Sequence, residues 1–71
     1  MKLTELKRNQ TAKILFINDN DFLKTRLLEM GFCRGTEIKF VYGFNTTLAY
    51  QIKNSLVALR AEDAKNIFIS I

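Results

Sequence analysis

The chain has 71 residues, of which 48% are hydrophobic and 25% are charged, and its formal net charge is +4. A chain of this length buries only about 60% of its extended surface on folding, so it has room for one small core and not for several domains. The single cysteine, Cys33, excludes an internal disulfide, and the absence of histidine excludes histidine-dependent triads and the commonest metal ligand.

The apolar residues are spread along the chain in short runs. None of these runs approaches the roughly 20 residues that a membrane-spanning helix needs. The N-terminal sequence Met-Lys-Leu-Thr-Glu-Leu-Lys also lacks the apolar region of a signal peptide. We therefore expect one globular domain over residues 1–71, located in the cytoplasm.

The first part of the chain predicts two strands. Leu3 to Leu6 is a short candidate strand, and Asn9 suits the turn that follows it because asparagine tolerates turn conformations. Gln10 to Ile17 is the second strand, since apolar and β-branched residues dominate it. Its two faces carry Ala12, Ile14 and Phe16 on one side and Lys13, Leu15 and Ile17 on the other. Apolar residues on both faces indicate a strand that is central or covered by a helix.

A helix is predicted from Asn20 or Asp21 to Met30. The polar run Asn18 to Asp21 supplies N-caps, and its acids suit the positive end of a helix. Leu23, Leu27 and Met30 recur at the spacing that places side chains on one helical face, so they form the predicted buried stripe.

Two glycines after this helix predict turns. Gly31 would end the helix in the left-handed conformation, which a residue without Cβ adopts at little steric cost. Phe32 would then fold back onto Leu27, and Gly35 would form a second turn before the next strand. These residues specify a helix joined by a tight elbow to a sheet.

The second half of the chain predicts strands joined by short turns. The predicted strands are Thr36 to Tyr42, Leu48 to Lys53, Leu56 to Leu59 and Ile67 to Ile71, separated by a loop at Gly43 to Thr47, a hairpin tip at Asn54-Ser55 and a helical turn within Ala61 to Asn66. We expect Tyr42 and Tyr50 to be barrel positions. So many short strands in so short a chain favour a mainly β fold closed into a small barrel, because closure buries one face of each strand and removes the edges.

Few residues could carry chemistry. The run Asn18 to Asp21 fails the calcium-loop pattern, because Leu23 stands where a ligand is needed. Cys33 follows the C-terminal end of the helix, where the dipole disfavours a thiolate, so we interpret it as a semi-buried structural cysteine. The three glycines follow neither dinucleotide nor Walker spacing. We predict no catalytic residue, no metal ligand and no cofactor, and hence a protein that is not an enzyme.

Exposed apolar side chains are the candidates for contact with a partner. Phe22 and Leu28 lie away from the centre of the predicted stripe on the helix. Phe44 lies in a loop of Gly, Asn and Thr, and an aromatic side chain at a loop tip loses little entropy when it docks. With Leu48, which follows that loop, these residues form the predicted partner-binding surface.

Two other functions are open on the residues alone. The net charge allows a basic barrel that binds nucleic acid, although the eleven basic residues are interspersed with acids and clustered charge is expected of such proteins. A transition-metal-sensing module would have to assemble its site from dispersed carboxylates, namely Glu5, Asp19, Asp21 and Glu37. We expect neither nucleic acid nor metal to be the main ligand.

Three segments carry a family resemblance. They are Leu-Thr-Glu-Leu-Lys at 3–7, Leu-Leu-Glu-Met-Gly-Phe at 27–32 with Gly-Thr-Glu-Ile at 35–38, and Val-Ala-Leu-Arg at 57–60 with Glu-Asp-Ala at 62–64. In this order they resemble the FeoA family of ferrous iron transport accessory proteins. The resemblance implies a small SH3-like barrel that binds the membrane ferrous iron transporter FeoB, through the cytosolic GTPase region of FeoB. It implies contact with the membrane only through that transporter. The chain differs from the family pattern at Gly43 to Leu48, where the usual Gly-Asp-Pro loop is absent.

Overall fold

The computed structural model describes residues 1–18 and 21–71, the side chains of residues 21 and 22 excepted. The elements in chain order are a 3-10 helix at Leu3–Glu5, β1 at Thr11–Ile17, α1 at Asp21–Glu29, β2 at Glu37–Phe44, β3 at Thr47–Ile52, β4 at Ser55–Arg60, α2 at Ala61–Ala64 and β5 at Ile67–Ser70. The caps predicted at Asp19 and Asn20 lie outside the described residues.

The five strands of the described residues form one antiparallel sheet with the order β4-β3-β2-β1-β5. Its inner face supplies most of a single apolar cluster, which also takes in Leu23 and Leu27 of α1 and the N-terminal Leu3 and Leu6. The largest side chains that are almost completely buried are those of Tyr50 and Phe32. None of the helices in the described part of the chain has the length and apolar character that a transmembrane helix requires.

The strand predicted at Leu3 to Leu6 is wrong, because Leu3–Glu5 is a 3-10 helix. The backbone N–H of Glu5 donates to the carbonyl oxygen of Lys2 at 3.0 Å, and the Glu5 carboxylate accepts from the Lys2 N–H at 2.7 Å. In a 3-10 helix residues three apart point the same way. Leu3 and Leu6 therefore both enter the core, which is not possible for residues three apart on a regular strand.

A β-bulge between Ile14 and Phe16 changes the predicted faces of β1. The extra residue, Leu15, shifts the alternation, so Ile14 and Ile17 are buried whereas Phe16 is exposed. The prediction that Phe16 shares the inner face with Ala12 and Ile14 is therefore wrong. A second bulge, between Phe40 and Tyr42 of β2, likewise turns Tyr42 outward, away from the predicted barrel position.

The C-terminal end of α1 is a Schellman motif. The N–H of Phe32 donates to the carbonyl oxygen of Leu27 at 2.9 Å, the N–H of Gly31 donates to that of Leu28 at 3.1 Å, and Gly31 has a φ of 98°. The motif buries Phe32 beside Leu27, as the sequence predicts. Met30, however, lies beyond the last helical residue and is exposed, so its assignment to the buried stripe is wrong.

Two tight hairpins join β2, β3 and β4. Gly43 and Phe44 belong to β2 and not to a loop, because β2 and β3 pair as far as Phe44 and Thr47 and leave a turn of two residues. In the next hairpin the turn residues are Lys53 and Asn54 and not the predicted Asn54-Ser55, because Ser55 pairs with Ile52. Lys53 has the positive φ, at 55°. In both hairpins the paired strands therefore extend as far as the two turn residues.

Candidate docking surfaces

A groove runs between α1 and β1 on the surface of the molecule. It has a volume of about 240 Å³ and is lined by Ile14, Leu15, Phe16, Ile17, Lys24, Leu28, Phe32 and Arg34, which we call the helix groove. Leu28 is 44% exposed and Phe16 is 52% exposed, so both apolar side chains are open to solvent at this groove. Apolar side chains that stay exposed at one groove form a surface suited to an apolar partner side chain.

The β1 bulge and the helical geometry of α1 place the side chains of Phe16 and Leu28 at the helix groove. The bulge turns Phe16 outward, and its ring stacks on that of Phe68 with centroids 4.7 Å apart and planes inclined by 10°. Stacking of this kind holds an exposed aromatic ring in one orientation. Leu28 lies next to Leu27 in sequence and so points about 100° away from the buried stripe of α1.

The helix groove has positive charges beside an apolar floor. Lys24 lies on α1, and Arg34 lies on the loop between Gly31 and Gly35. None of the described residues that line the groove is acidic. Electrostatic complementarity therefore favours a partner that brings an apolar side chain flanked by carboxylates.

A second apolar surface lies at the tip of the β2–β3 hairpin. Phe44 is 73% exposed, and the half-buried Leu48 pairs with Gly43 in the register next to it. A Cβ at Gly43 would lie 2.8 Å from Cδ2 of Leu48, so the Leu48 side chain extends across the glycine. We call Phe44, Leu48 and the turn Asn45-Thr46 the hairpin tip.

Three of the four predicted partner-binding residues have described side chains, and these three belong to two different surfaces. Leu28 lines the helix groove, whereas Phe44 and Leu48 belong to the hairpin tip. The side chain of Phe22 lies outside the described residues. Leu15 and Phe16 line the groove but were not predicted, because strict alternation places Phe16 in the core and nothing in the sequence marks the bulge. The sequence feature that comes closest to indicating an exposed apolar residue here is the apolar character of both faces of this strand.

Chemically reactive groups are dispersed over the described surface. Cys33 is exposed, which corrects its interpretation as a semi-buried residue. The Glu5 carboxylate is held by the Lys2 N–H, and Glu37 lies exposed at the start of β2. Asp19 and the side chain of Asp21 lie outside the described residues. Among the residues that are described, no three His, Cys, Asp or Glu side chains are grouped closely enough to hold a metal ion.

Several known proteins are similar to this chain in sequence and in fold. A Campylobacter jejuni protein with the name "Putative Fe(2+) transport protein A" is 36% identical over 73 residues, which cover 100% of this chain and 99% of that protein. FeoA from Stenotrophomonas maltophilia, solved as a complex with zinc and described as an SH3 domain protein, is 30% identical to this chain. The two structures match with a TM-score of 0.89 over 99% of this chain and 89% of that one.

A solution structure of iron(II) transport protein A from Clostridium thermocellum gives a TM-score of 0.91 at 28% identity, with 100% of this chain matching 45% of that one. The five-stranded sheet with its two short helices is therefore an SH3-like fold. The family model for the FeoA domain matches residues 1–71. On the combined agreement of sequence and fold, this chain belongs to the FeoA family.

Proposed function

We propose that this chain is a non-enzymatic cytoplasmic accessory protein of ferrous iron uptake, which binds the cytosolic GTPase region of the transporter FeoB and modulates it. Family membership and the Fe(2+) transport name of the Campylobacter jejuni relative support the role in iron transport. The choice of FeoB as the partner rests on the family resemblance, and the dispersal of reactive groups supports a binding function over a catalytic one.

The helix groove is the observation that carries this proposal. Leu28 and Phe16 are apolar and open to solvent, and Lys24 and Arg34 lie beside them. Buried apolar anchors provide most of the affinity of a typical interface, and surrounding charges select the partner and speed the encounter. The hairpin tip, with Phe44, provides a second contact for a partner large enough to reach both surfaces.

Titration of the isotope-labelled chain with the soluble GTPase region of FeoB tests the proposal. The Leu28→Ala and Phe44→Ala variants should each bind about tenfold more weakly, because truncation of an anchor at an interface costs between about 1 and 2 kcal/mol. The Leu56→Ala variant is the matched control, since Leu56 is also an exposed leucine, on β4, but belongs to neither surface. It should bind like the unmodified chain.

The pattern of resonance shifts separates the alternatives. Shifts confined to residues of the helix groove and the hairpin tip are expected. Unchanged spectra at saturating GTPase region, or equal affinity for the Leu28→Ala and Leu56→Ala variants, would reject the proposed surface. Affinity for DNA or RNA that falls steeply with salt would instead support the basic nucleic-acid-binding barrel.

A further inference from the structure

Arg34 is held at the helix groove by a turn whose backbone is bonded to β1. Arg34 and Gly35 are the central residues of this turn, and Gly35 has a φ of 86°. The N–H of Thr36 closes the turn by donating to the carbonyl oxygen of Cys33 at 3.0 Å, the pattern of a type II turn. The N–H of Gly35 donates to the carbonyl oxygen of Ile14 at 2.7 Å, and the N–H of Ile14 donates to that of Thr36 at 3.0 Å. The backbone of Arg34 is therefore fixed beside the residue that precedes the β1 bulge.

Lys24 lies toward the other end of the helix groove. It precedes Leu28 by four residues on α1, so the two side chains share a face of the helix, and both line the groove. β1 ends at Ile17 shortly before α1 begins, whereas the turn that carries Arg34 is bonded to Ile14. The two cations therefore flank the apolar floor of the groove from its two ends.

Neither cation is neutralised by a carboxylate of the described residues. No ion pair joins Lys24 or Arg34 to an Asp or Glu side chain in the described part of the chain. The cleft next to the groove also contains Arg34 together with Glu37, but Glu37 lies directly opposite Lys13 in the register of β1 and β2. Opposite charges in such a cross-strand pair offset one another. The groove therefore offers two uncompensated positive charges beside apolar side chains.

The backbone of β1 gives a partner strand little to pair with at this groove. On the side that faces β2, Thr11 to Lys13 pair with β2, and Ile14 is bonded to the turn that carries Arg34. The opposite side of β1 pairs with β5. Within the described backbone, only Leu15 to Ile17 lie beyond these bonds, a run of about half the common strand length. A segment that enters the groove must therefore satisfy its own backbone hydrogen bonds, as a helix does.

Charge argues against a second copy of this chain as the occupant. An isologous interface sets the same patch on both sides, so Lys24 and Arg34 of each copy would face their counterparts. Like charges in contact oppose association, and each copy has a net charge of +4. The α1 helix of a second copy would also bring Lys24 on the same face as Leu28. The groove therefore suits a different protein with an acidic surface.

We propose that the helix groove binds an acidic amphipathic helix of a protein partner, whose apolar anchor packs against Leu28 and Phe16 and whose carboxylates face Lys24 and Arg34. Residues four apart on a helix share a face, so the pattern Glu-x-x-x-Leu-x-x-x-Glu presents all three side chains together. This inference rests on the proposed function, since it takes the groove as the docking surface and adds the kind of segment that docks. The anchor supplies most of the affinity, and the carboxylates supply selectivity and speed the encounter.

The test uses the full isotope-labelled chain and the peptide acetyl-Ala-Gln-Glu-Ala-X-Ala-Leu-Ala-X-Ala-Glu-Gln-Ala-amide, in which a hydrocarbon staple joins the two X residues. The staple lies on the face opposite the leucine and keeps the peptide helical, because so short a helix is marginal by itself. The resonances of Leu28 and Phe16 should shift during the titration. The same stapled peptide with glutamine in place of both glutamates is the control and should bind about tenfold more weakly at low salt, since it cannot pair with either cation.

Variants of the chain assign the charge contribution to the two cations. Lys24→Gln and Arg34→Gln should each weaken the glutamate peptide about threefold and leave the affinity for the glutamine peptide unchanged. Lys7→Gln is the matched control, because it removes the same charge from an exposed lysine that does not line the groove. It should bind both peptides like the unmodified chain. Leu28→Ala should weaken both peptides, since it removes an apolar contact that they share.

The soluble GTPase region of FeoB separates this inference from the proposed function. Equal affinity of the GTPase region for the unmodified chain, Lys24→Gln and Arg34→Gln would leave the docking to FeoB in place and reject the acidic helix. Binding of the glutamate peptide as expected, together with no binding of the GTPase region, would support the acidic helix and reject FeoB as the partner.

Three further results would overturn the proposal. The first is equal affinity for the glutamate and glutamine peptides, or no shift at Leu28 and Phe16 at millimolar glutamate peptide. The second is a shift of the same resonances without peptide that grows with protein concentration, because it would assign the groove to a second copy. The third is binding to phosphatidylglycerol vesicles that depends on Lys24 and Arg34 while the glutamate peptide does not bind, because it would assign the groove to a lipid surface.

Discussion

Tyr50 is a polar residue in an otherwise apolar centre, and its surroundings explain how the core accepts it. Its side chain is 1% exposed, its hydroxyl donates to the carbonyl oxygen of Leu3 at 3.5 Å, and its ring lies 5.4 Å from that of Phe40. Burial raises the pKa of the phenol from its ordinary 10.0 to about 12, because desolvation penalises the phenolate. The folded state therefore holds Tyr50 neutral.

This pKa predicts how stability changes in alkali. The folded state favours the neutral phenol, so its stabilising effect is complete below about pH 10 and is lost as the pH rises through about 12. We expect the free energy of unfolding to fall by between about 2 and 3 kcal/mol over this interval because of Tyr50. Urea unfolding of the unmodified chain and of Tyr50→Phe at several pH values measures it. The variant lacks the ionisable group and should lose less stability, and parallel curves for the two proteins would contradict the prediction.

At the scale of single elements, local signals were readable from the sequence and long-range ones were not. Gly31 and Gly35 have φ values of 98° and 86°, which follow from the rule that only glycine adopts such backbone angles freely. The bulge at Leu15 depends on how β1 pairs with β5, some fifty residues away, and the sequence around Leu15 carries no mark of it. For the same reason Phe16 was missed as part of the helix groove, whereas Leu28 was found from helical spacing alone.

The end of α1 gives a prediction for one element. Gly31→Ala should destabilise the chain by between about 1 and 2 kcal/mol, because a Cβ opposes the left-handed conformation. Crowding is not the cause, since the nearest atoms to that Cβ would be Cε and Nζ of Lys53 at 3.8 Å, an ordinary contact. Gly31→Asn should cost less, because asparagine tolerates positive φ better. Thermal unfolding compares the two variants, and equal losses of stability would show that the backbone angle is not the cause.

At the scale of the whole molecule, the sequence predicted the fold class correctly but not which strands lie at the edges of the sheet. Alternating apolar residues, short turns and one helix correctly indicate a small mainly β fold, which the SH3-like relatives confirm. Closure of the sheet was expected to remove its edges, but within the described residues β4 pairs only with β3, so the sheet ends at this strand. Periodicity specifies which residues form strands, whereas the neighbours of those strands depend on contacts between distant parts of the chain.

The N-terminal segment shows how the two ends of the chain share one core. Leu3 is completely buried although it belongs to no strand, and it packs in the same cluster as Ile67 and Ile69 of β5. Leu3→Ala should therefore lower the free energy of unfolding by between about 2 and 4 kcal/mol, a large part of the 5–15 kcal/mol that is typical of a domain, since it leaves a cavity. Thr4→Ala is the matched control, because Thr4 is the exposed neighbour and should change stability by less than about 0.5 kcal/mol. Urea unfolding followed by circular dichroism measures both. Equal stability of the two variants would show that the segment lies on the surface and does not contribute to the core.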